Sequence, residues 1–123
     1  MIVAVAVAVA GGFGAVARYV VDGRVQDRTS GTFPFGTLAV NVGGSLVLGF
    51  LVGMGLFHGL SGSAQTVLGT GFCGGLTTWS TATWETVRLV EDGQPARALV
   101  NAVGGLAAAL AAAALGLALA AVA

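Results

Sequence analysis

The most informative stretch of this sequence is Gly71-Phe72-Cys73-Gly74-Gly75-Leu76-Thr77-Thr78-Trp79-Ser80-Thr81. It lies in the middle of a hydrophobic segment, where a helix that crosses a bilayer should be continuous. Paired glycines followed by hydroxyl residues favour a local break in that helix. Backbone groups released in lipid must be satisfied by protein, water or an ion. Irregular backbone at this depth therefore indicates an ion or substrate path.

The composition indicates an integral membrane protein. Of the 123 residues, 56% are hydrophobic and only 8% are charged, whereas a soluble domain carries roughly a quarter charged residues. The formal net charge is zero, so no polybasic face points to nucleic acid. The 21 glycines suit close packing of helices in lipid. The single cysteine, Cys73, excludes an internal disulfide and fits no metal-ligand spacing.

Four hydrophobic segments are long enough to cross a bilayer, which takes about 20 apolar residues. We predict an all-α protein with one four-helix transmembrane domain over residues 1–123, whose third helix is broken at mid-membrane. The predicted helices cover about 2–21, 36–57, 64–88 and 96–122. The first is expected to be a transmembrane helix rather than a cleaved signal peptide, because no basic region precedes its apolar run.

The arginines predict one orientation in the plasma membrane. Three of them cluster at the first loop and two flank the third loop: Arg18, Arg24, Arg28, Arg88 and Arg97. Orientation follows the placement of Lys and Arg rather than net charge. We therefore expect loops 22–35 and 89–95 to be cytoplasmic and both termini to lie outside.

Several polar side chains fall inside the predicted helices. Thr37, Asn41 and Ser45 repeat every four residues and share one helical face. They either form hydrogen bonds between helices or line a permeation path. The hydroxyls that follow the glycines have the same two interpretations, because such groups often bond back to carbonyls one turn earlier. They are Thr77, Thr78, Ser80 and Thr81.

Other residues also have two interpretations. Trp79 either packs or presents its indole N–H and ring edge to an anion. Arg18 either draws anions at a vestibule or marks the interface. Glu85 is expected to form a structural ion pair, with Arg88 three residues later or with Arg18. Asn101 is expected to cap a helix or to link two helices.

Three motifs together resemble the CrcB/Fluc family of fluoride channels. They are Gly11-Gly12-x-Gly14-Ala15-x-x-Arg18-Tyr19, Gly36-Thr37-Leu38-x-x-Asn41-x-x-Gly44, and the Gly71–Thr81 stretch. The resemblance implies passive exit of fluoride through an antiparallel dimer in the bilayer with two narrow pores. It also implies a structural Na⁺ at the dimer centre, held by the backbone carbonyls of Gly74 and Thr77. The anion path would use Asn41, Thr78, Trp79, Ser80, Thr81 and Thr37, with Arg18 at a vestibule.

This chain departs from the family pattern in three respects. The usual Thr-Thr-Phe-Ser-Thr-Phe reads Thr77-Thr78-Trp79-Ser80-Thr81-Ala82 here. The fourth helix lacks the hydroxyls that family members offer to the pore, and the arginines are asymmetrically placed. These departures lead to the hypothesis that the dimer is a heterodimer with an oppositely oriented homologue rather than a homodimer.

Other functions remain as alternatives. A non-conducting or half-pore partner subunit would explain Ala82 and the bland fourth helix. A small proton-coupled exporter needs a carboxylate deep in the membrane, and residues 1–21 contain none. No nucleophile–base or metal constellation indicates an enzyme.

Overall fold

The computed structural model describes all residues, 1–123, and every regular element in it is helical. The helices are α1 (Ile2–Arg28), α2 (Phe35–His58), α3 (residues 62–76), α4 (Ser80–Glu91) and α5 (Pro95–Val122). Three of them, α1, α2 and α5, are long and apolar enough to cross a membrane. The all-helical fold class is confirmed.

The first helix is longer than predicted, and the expected loop 22–35 is wrong in its first half. Helix α1 continues to Arg28, and Thr29 is the first residue with extended backbone (φ −108°, ψ 129°). The apolar run ends near residue 21, but no residue before Gly31 forces the chain out of a helix. Gly31 has a positive φ of 111°, and Pro34 lies directly before α2. The arginines of this region are therefore helical.

The predicted third span is divided into two helices. Helix α3 begins with an α-helical turn at Gly62–Gln65, continues as a π-helix over Thr66–Cys73 and closes with a turn at Gly74–Leu76. Helix α4 begins only at Ser80. Neither helix reaches the roughly 20 residues of a complete span. A second π-helical turn, Val100–Gly104, interrupts α5.

Glycines allow α1 and α3 to touch through their backbones. A Cβ atom added at Gly14 would overlap the carbonyl oxygen of Phe72, and one at Gly75 would overlap the carbonyl oxygen of Gly11. Helices α2 and α5 form the most extensive helix pair, and Gly49 there lies against the carbonyl oxygen of Ala113. Small residues thus bring the helices close enough for van der Waals packing to hold them in lipid.

Candidate functional site

The break in the third hydrophobic segment lies between α3 and α4. The N–H of Thr77 makes the last helical hydrogen bond, 2.9 Å to the carbonyl of Cys73. Thr77 itself is extended, with φ −81° and ψ 162°. The paired glycines precede this break and do not form it, since Gly74 is helical (φ −63°, ψ −37°). Gly75 instead provides the close approach to α1.

The break leaves backbone carbonyls without helical partners. Beyond Thr77, no backbone N–H returns to the carbonyls of Gly74, Gly75 or Leu76. Such groups are the orphan acceptors that every helix C-terminus carries. Inside lipid they need a donor or a cation.

Asn41 of α2 forms two hydrogen bonds with the backbone at the break. Its Nδ2 donates to the carbonyl of Thr78 at 2.8 Å, and its Oδ1 accepts from the N–H of Thr78 at 2.7 Å. The side-chain amide thus replaces the helical partners that Thr78 lacks. An asparagine amide carries two N–H donors, so one N–H of Asn41 is left for another acceptor.

Arg18 of α1 reaches the same break from the other side. Its Nη1 donates to the carbonyl of Thr77 at 3.1 Å. A charged donor makes a stronger hydrogen bond than a neutral one, so this contact also places a positive charge beside the break. The sequence left Arg18 either at a vestibule or as a marker of the interface, and gave no sign of this contact.

Most hydroxyls near the break have local partners. Thr77 Oγ1 donates to the carbonyl of Cys73 at 3.0 Å. Thr78 Oγ1 accepts from the N–H of Thr81 at 3.2 Å, as a helix N-cap does, and donates to Thr81 Oγ1 at 3.0 Å. Ser80 Oγ lies 3.5 Å from Thr78 Oγ1. Thr77 thus bonds back to a carbonyl one turn earlier, whereas Thr78 bonds forward to Thr81. The hydroxyl of Thr81 donates no hydrogen bond within the chain, so its proton remains available.

A cavity of about 400 Å³ lies next to the break. It brings together three of the predicted path residues, Asn41, Thr78 and Trp79, with Asn101 of α5. Ser80, Thr81, Thr37 and Arg18 do not line it. Trp79 is 76% exposed, although it also lines this cavity.

Thr37 lies at a different place from Asn41, although the two share a helix face. Its hydroxyl donates to Glu85 Oε1 at 2.8 Å, and Glu85 Oε2 is buried without a partner. Glu85 lines a second cavity of about 470 Å³, with Asp22, Asp27 and Asp92. The expected ion pair of Glu85 is wrong, because Glu85 turns inward to Thr37 and Arg88 pairs with Glu91 at 3.2 Å.

Asn101 of α5 also makes polar contacts whose partners the sequence did not show. Asn101 donates to the carbonyl of Ala82 and to Thr86 Oγ1 on α4. The prediction that Asn101 links two helices is correct, but its partners were not foreseen. The only available signal was an isolated amide in a helix of alanine, glycine and leucine.

These features define a multi-pass, all-helical membrane protein with an interrupted helix whose backbone is held by polar side chains. The sequence model of one family, described as CrcB-like protein, Camphor Resistance (CrcB), matches residues 5–117. The chain belongs to the CrcB family, and the resemblance is confirmed.

Curated relatives cover nearly the whole chain. One is fluoride-specific ion channel FluC 1 of Leifsonia xyli subsp. xyli, 52% identical over 116 residues, which is 94% of this chain and 85% of that protein. FluC 1 of Streptomyces avermitilis is 49% identical over 100 residues, 81% of each chain. FluC 2 of Mycobacterium tuberculosis (strain H37Rv) is 48% identical over 106 residues, 86% of this chain and 81% of that protein. These names describe ion channels, in agreement with the prediction that the chain is not an enzyme.

Proposed function

We propose that this chain is a subunit of a fluoride-specific ion channel that lets fluoride leave the cytoplasm passively and so limits its toxicity. The observation that carries the proposal is the open backbone at Thr77–Trp79, held by Asn41 and Arg18 beside a cavity. Irregular backbone at membrane depth is tolerated where it is buried in protein or lines a path. The relatives that match this chain are named as fluoride channels.

The donors around the break suit a small anion. A selective path must replace the water molecules around the ion with groups of the protein. Asn41 has one N–H without a partner in the chain, Trp79 has its indole N–H, and Thr81 has its hydroxyl proton. We assign the anion path to these residues together with Thr78, Ser80 and Thr37, and we assign Arg18 to the positive charge beside it.

We further propose that α3 and α4 together make the third of four membrane crossings. The two connections that are flanked by arginines at the helix ends would then lie in the cytoplasm, because positive residues favour that side.

The functional unit would be an antiparallel dimer, either of two copies or of this chain and an oppositely oriented homologue. The strong exposure of Trp79 and Trp84 supports a partner that covers apolar surface at the start of α4. Relatives named FluC 1 and FluC 2 are compatible with paired subunits.

We propose that a structural Na⁺ at the dimer centre is bound by backbone carbonyls at the break. The carbonyl of Gly74 receives no backbone N–H, and carbonyl oxygens suit a hard cation. The carbonyl of Thr77 accepts from Arg18, yet a carbonyl oxygen has a second lone pair. When bound, a sodium ion there would supply positive charge that favours a nearby anion.

A flux assay tests the proposed function. The purified chain is reconstituted into liposomes loaded with fluoride, with protein-free and chloride-loaded liposomes as controls. We expect passive fluoride efflux that needs no proton gradient, with little chloride efflux. Efflux that requires a proton gradient would indicate the exporter instead and would contradict the proposal.

The same assay separates the autonomous channel from the partner subunit. The cavity beside Ala82 and the absence of hydroxyls from α5 favour this second candidate. If it is correct, the chain alone gives no efflux, and efflux appears when a homologue is reconstituted with it.

A further inference from the structure

Asn101 is the polar side chain that α5 contributes to the interior of the helix bundle. The only other residue of α5 with a hydrogen-bonding side chain is Arg97, which lies at the helix start and bonds Thr32 and Gln94. Asn101 is 7% exposed. A buried amide in lipid is costly unless it is paired, so its partners indicate why it is tolerated.

The partners of Asn101 form a closed group on α4. Its Nδ2 lies 3.2 Å from the carbonyl oxygen of Ala82 and 2.9 Å from Thr86 Oγ1. Thr86 Oγ1 itself donates to the Ala82 carbonyl at 2.8 Å. Because a carbonyl can only accept, its contact must be with Nδ2, and the orientation of the amide is fixed. We refer to Asn101, Thr86 and the Ala82 carbonyl as the α4–α5 clamp.

The clamp lies on the same cavity as Asn41. Asn101 and Thr86 both line it, together with Asn41 and Thr78. The Oδ1 atom of Asn101 accepts no hydrogen bond within the chain. A π-helical turn, Val100–Gly104, carries Asn101, and such turns occur frequently at functional sites.

Two amides therefore fix the beginning of α4. At Thr78 the chain is held by Asn41 from α2, and at Ala82 and Thr86 it is held by Asn101 from α5. Between these two anchors lie Trp79, Ser80 and Thr81. Helix α4 has only 12 residues and no helical continuity with α3, so its rotation depends on such side-chain contacts.

We infer that Asn101 is a positioning residue of the conduction path, acting through the α4–α5 clamp to set the rotation of residues 79–81. This inference rests on the proposed function and deepens it. It assigns no contact with the ion to Asn101. Loss of the clamp should lower the selectivity for fluoride over chloride. If Asn101 had a purely structural role, the fraction of protein that still folds would keep the selectivity of the wild type.

The chain offers a matched pair of variants. Thr86→Val removes one acceptor of Asn101, whereas Thr83→Val removes a hydroxyl of the same helix that bonds only the carbonyl of Trp79, four residues earlier. Fluoride and chloride efflux are measured from liposomes at equal protein content. We expect Thr86→Val to lower the fluoride-to-chloride ratio about threefold to tenfold, the effect of one lost interhelical hydrogen bond, and Thr83→Val to leave it within about twofold.

A double-mutant cycle supplies a second measurement. If the clamp exists, the effects of Asn101→Leu and Thr86→Val on the melting temperature in detergent will not be additive, because the two substitutions remove the same interaction. Asn101→Leu and Thr83→Val will be additive.

Equal selectivity of Thr86→Val and Thr83→Val, or additivity of Asn101→Leu with Thr86→Val, would overturn the positioning role alone. Absence of fluoride efflux from the wild-type chain, alone and with a homologue, would overturn the proposed function and this inference together.

Discussion

At the scale of single residues, the side chain of Asn41 supplies the hydrogen bonds that a continuous helix would give to the backbone of Thr78. Its amide forms hydrogen bonds with both the N–H and the carbonyl of Thr78, so neither group is left unpaired at the interruption of the helix. Arg18 does the same for the carbonyl of Thr77. Under the proposed function, both residues would serve the anion path as well as stability, because the groups that pair with the open backbone also lie beside it.

Substitution of Asn41 should therefore affect stability and transport together. Asn41→Leu leaves the N–H and the carbonyl of Thr78 without partners, which typically costs about 1–3 kcal/mol. We expect a lower melting temperature in detergent and a loss of fluoride efflux in liposomes. Ser45→Ala is the control, since Ser45 lies one turn further along the same face and lines the same cavity. If Asn41→Leu keeps the melting temperature and the fluoride efflux of the wild type, as Ser45→Ala is expected to do, Asn41 does not stabilise the break.

At the scale of helices, glycines act chiefly through the space they leave. Gly74 and Gly75 do not provide the turn of the broken helix, which occurs at Thr77. Gly75 and Gly14 instead let α1 and α3 approach until backbone touches backbone. The approach of α1 is what brings Arg18 within reach of Thr77.

A pair of neighbouring glycines tests this packing. In Gly14→Ala the new Cβ would overlap the carbonyl oxygen of Phe72, whereas in Gly12→Ala it meets nothing within 4 Å. Overpacking of a close contact typically costs about 1–3 kcal/mol. We therefore expect Gly14→Ala to lower the melting temperature in detergent, and Gly12→Ala not to lower it, because alanine favours a helix more than glycine does. Equal melting temperatures would show that α1 and α3 are not in close contact.

At the scale of the whole molecule, the chain exposes apolar surface on several sides, including Trp79, Trp84 and most of the apolar residues of α1. In a bilayer, lipid or a second subunit covers such surface. The asymmetric arginines favour one orientation. For the antiparallel dimer that we propose, a single orientation favours an oppositely oriented homologue over a second copy as the partner.

Cysteine labelling can determine the orientation, because the only native cysteine, Cys73, is 1% exposed and should not react. Ser30→Cys lies in the first connection and Ser63→Cys near the second, both at exposed positions. With a membrane-impermeant thiol reagent applied to intact cells, we expect labelling of Ser63→Cys and no labelling of Ser30→Cys. Permeabilised cells serve as the control, in which both should react. Labelling of both in intact cells would indicate two orientations and favour a homodimer.

Much of the helical structure of this protein could be predicted from local properties of the chain. Hydrophobicity and length were enough to predict helices α1, α2 and α5, because burial of apolar side chains in lipid depends little on distant residues. The glycine and hydroxyl motif was enough to predict the family and to place the irregular backbone within a few residues. The end of α1 was misplaced, because a polar helix can extend beyond the apolar span without any local signal to stop it.

The partners of the polar groups depended instead on how the helices pack. Arg18 and Thr77 are 59 residues apart in the chain, Thr37 and Glu85 are 48 apart, and Asn41 and Thr78 are 37 apart. Each pair joins atoms from segments far apart in the sequence, and no spacing within one helix encodes it. Only the packed bundle brings these donors to their acceptors, because a hydrogen bond requires its two heavy atoms to lie within about 3 Å of each other.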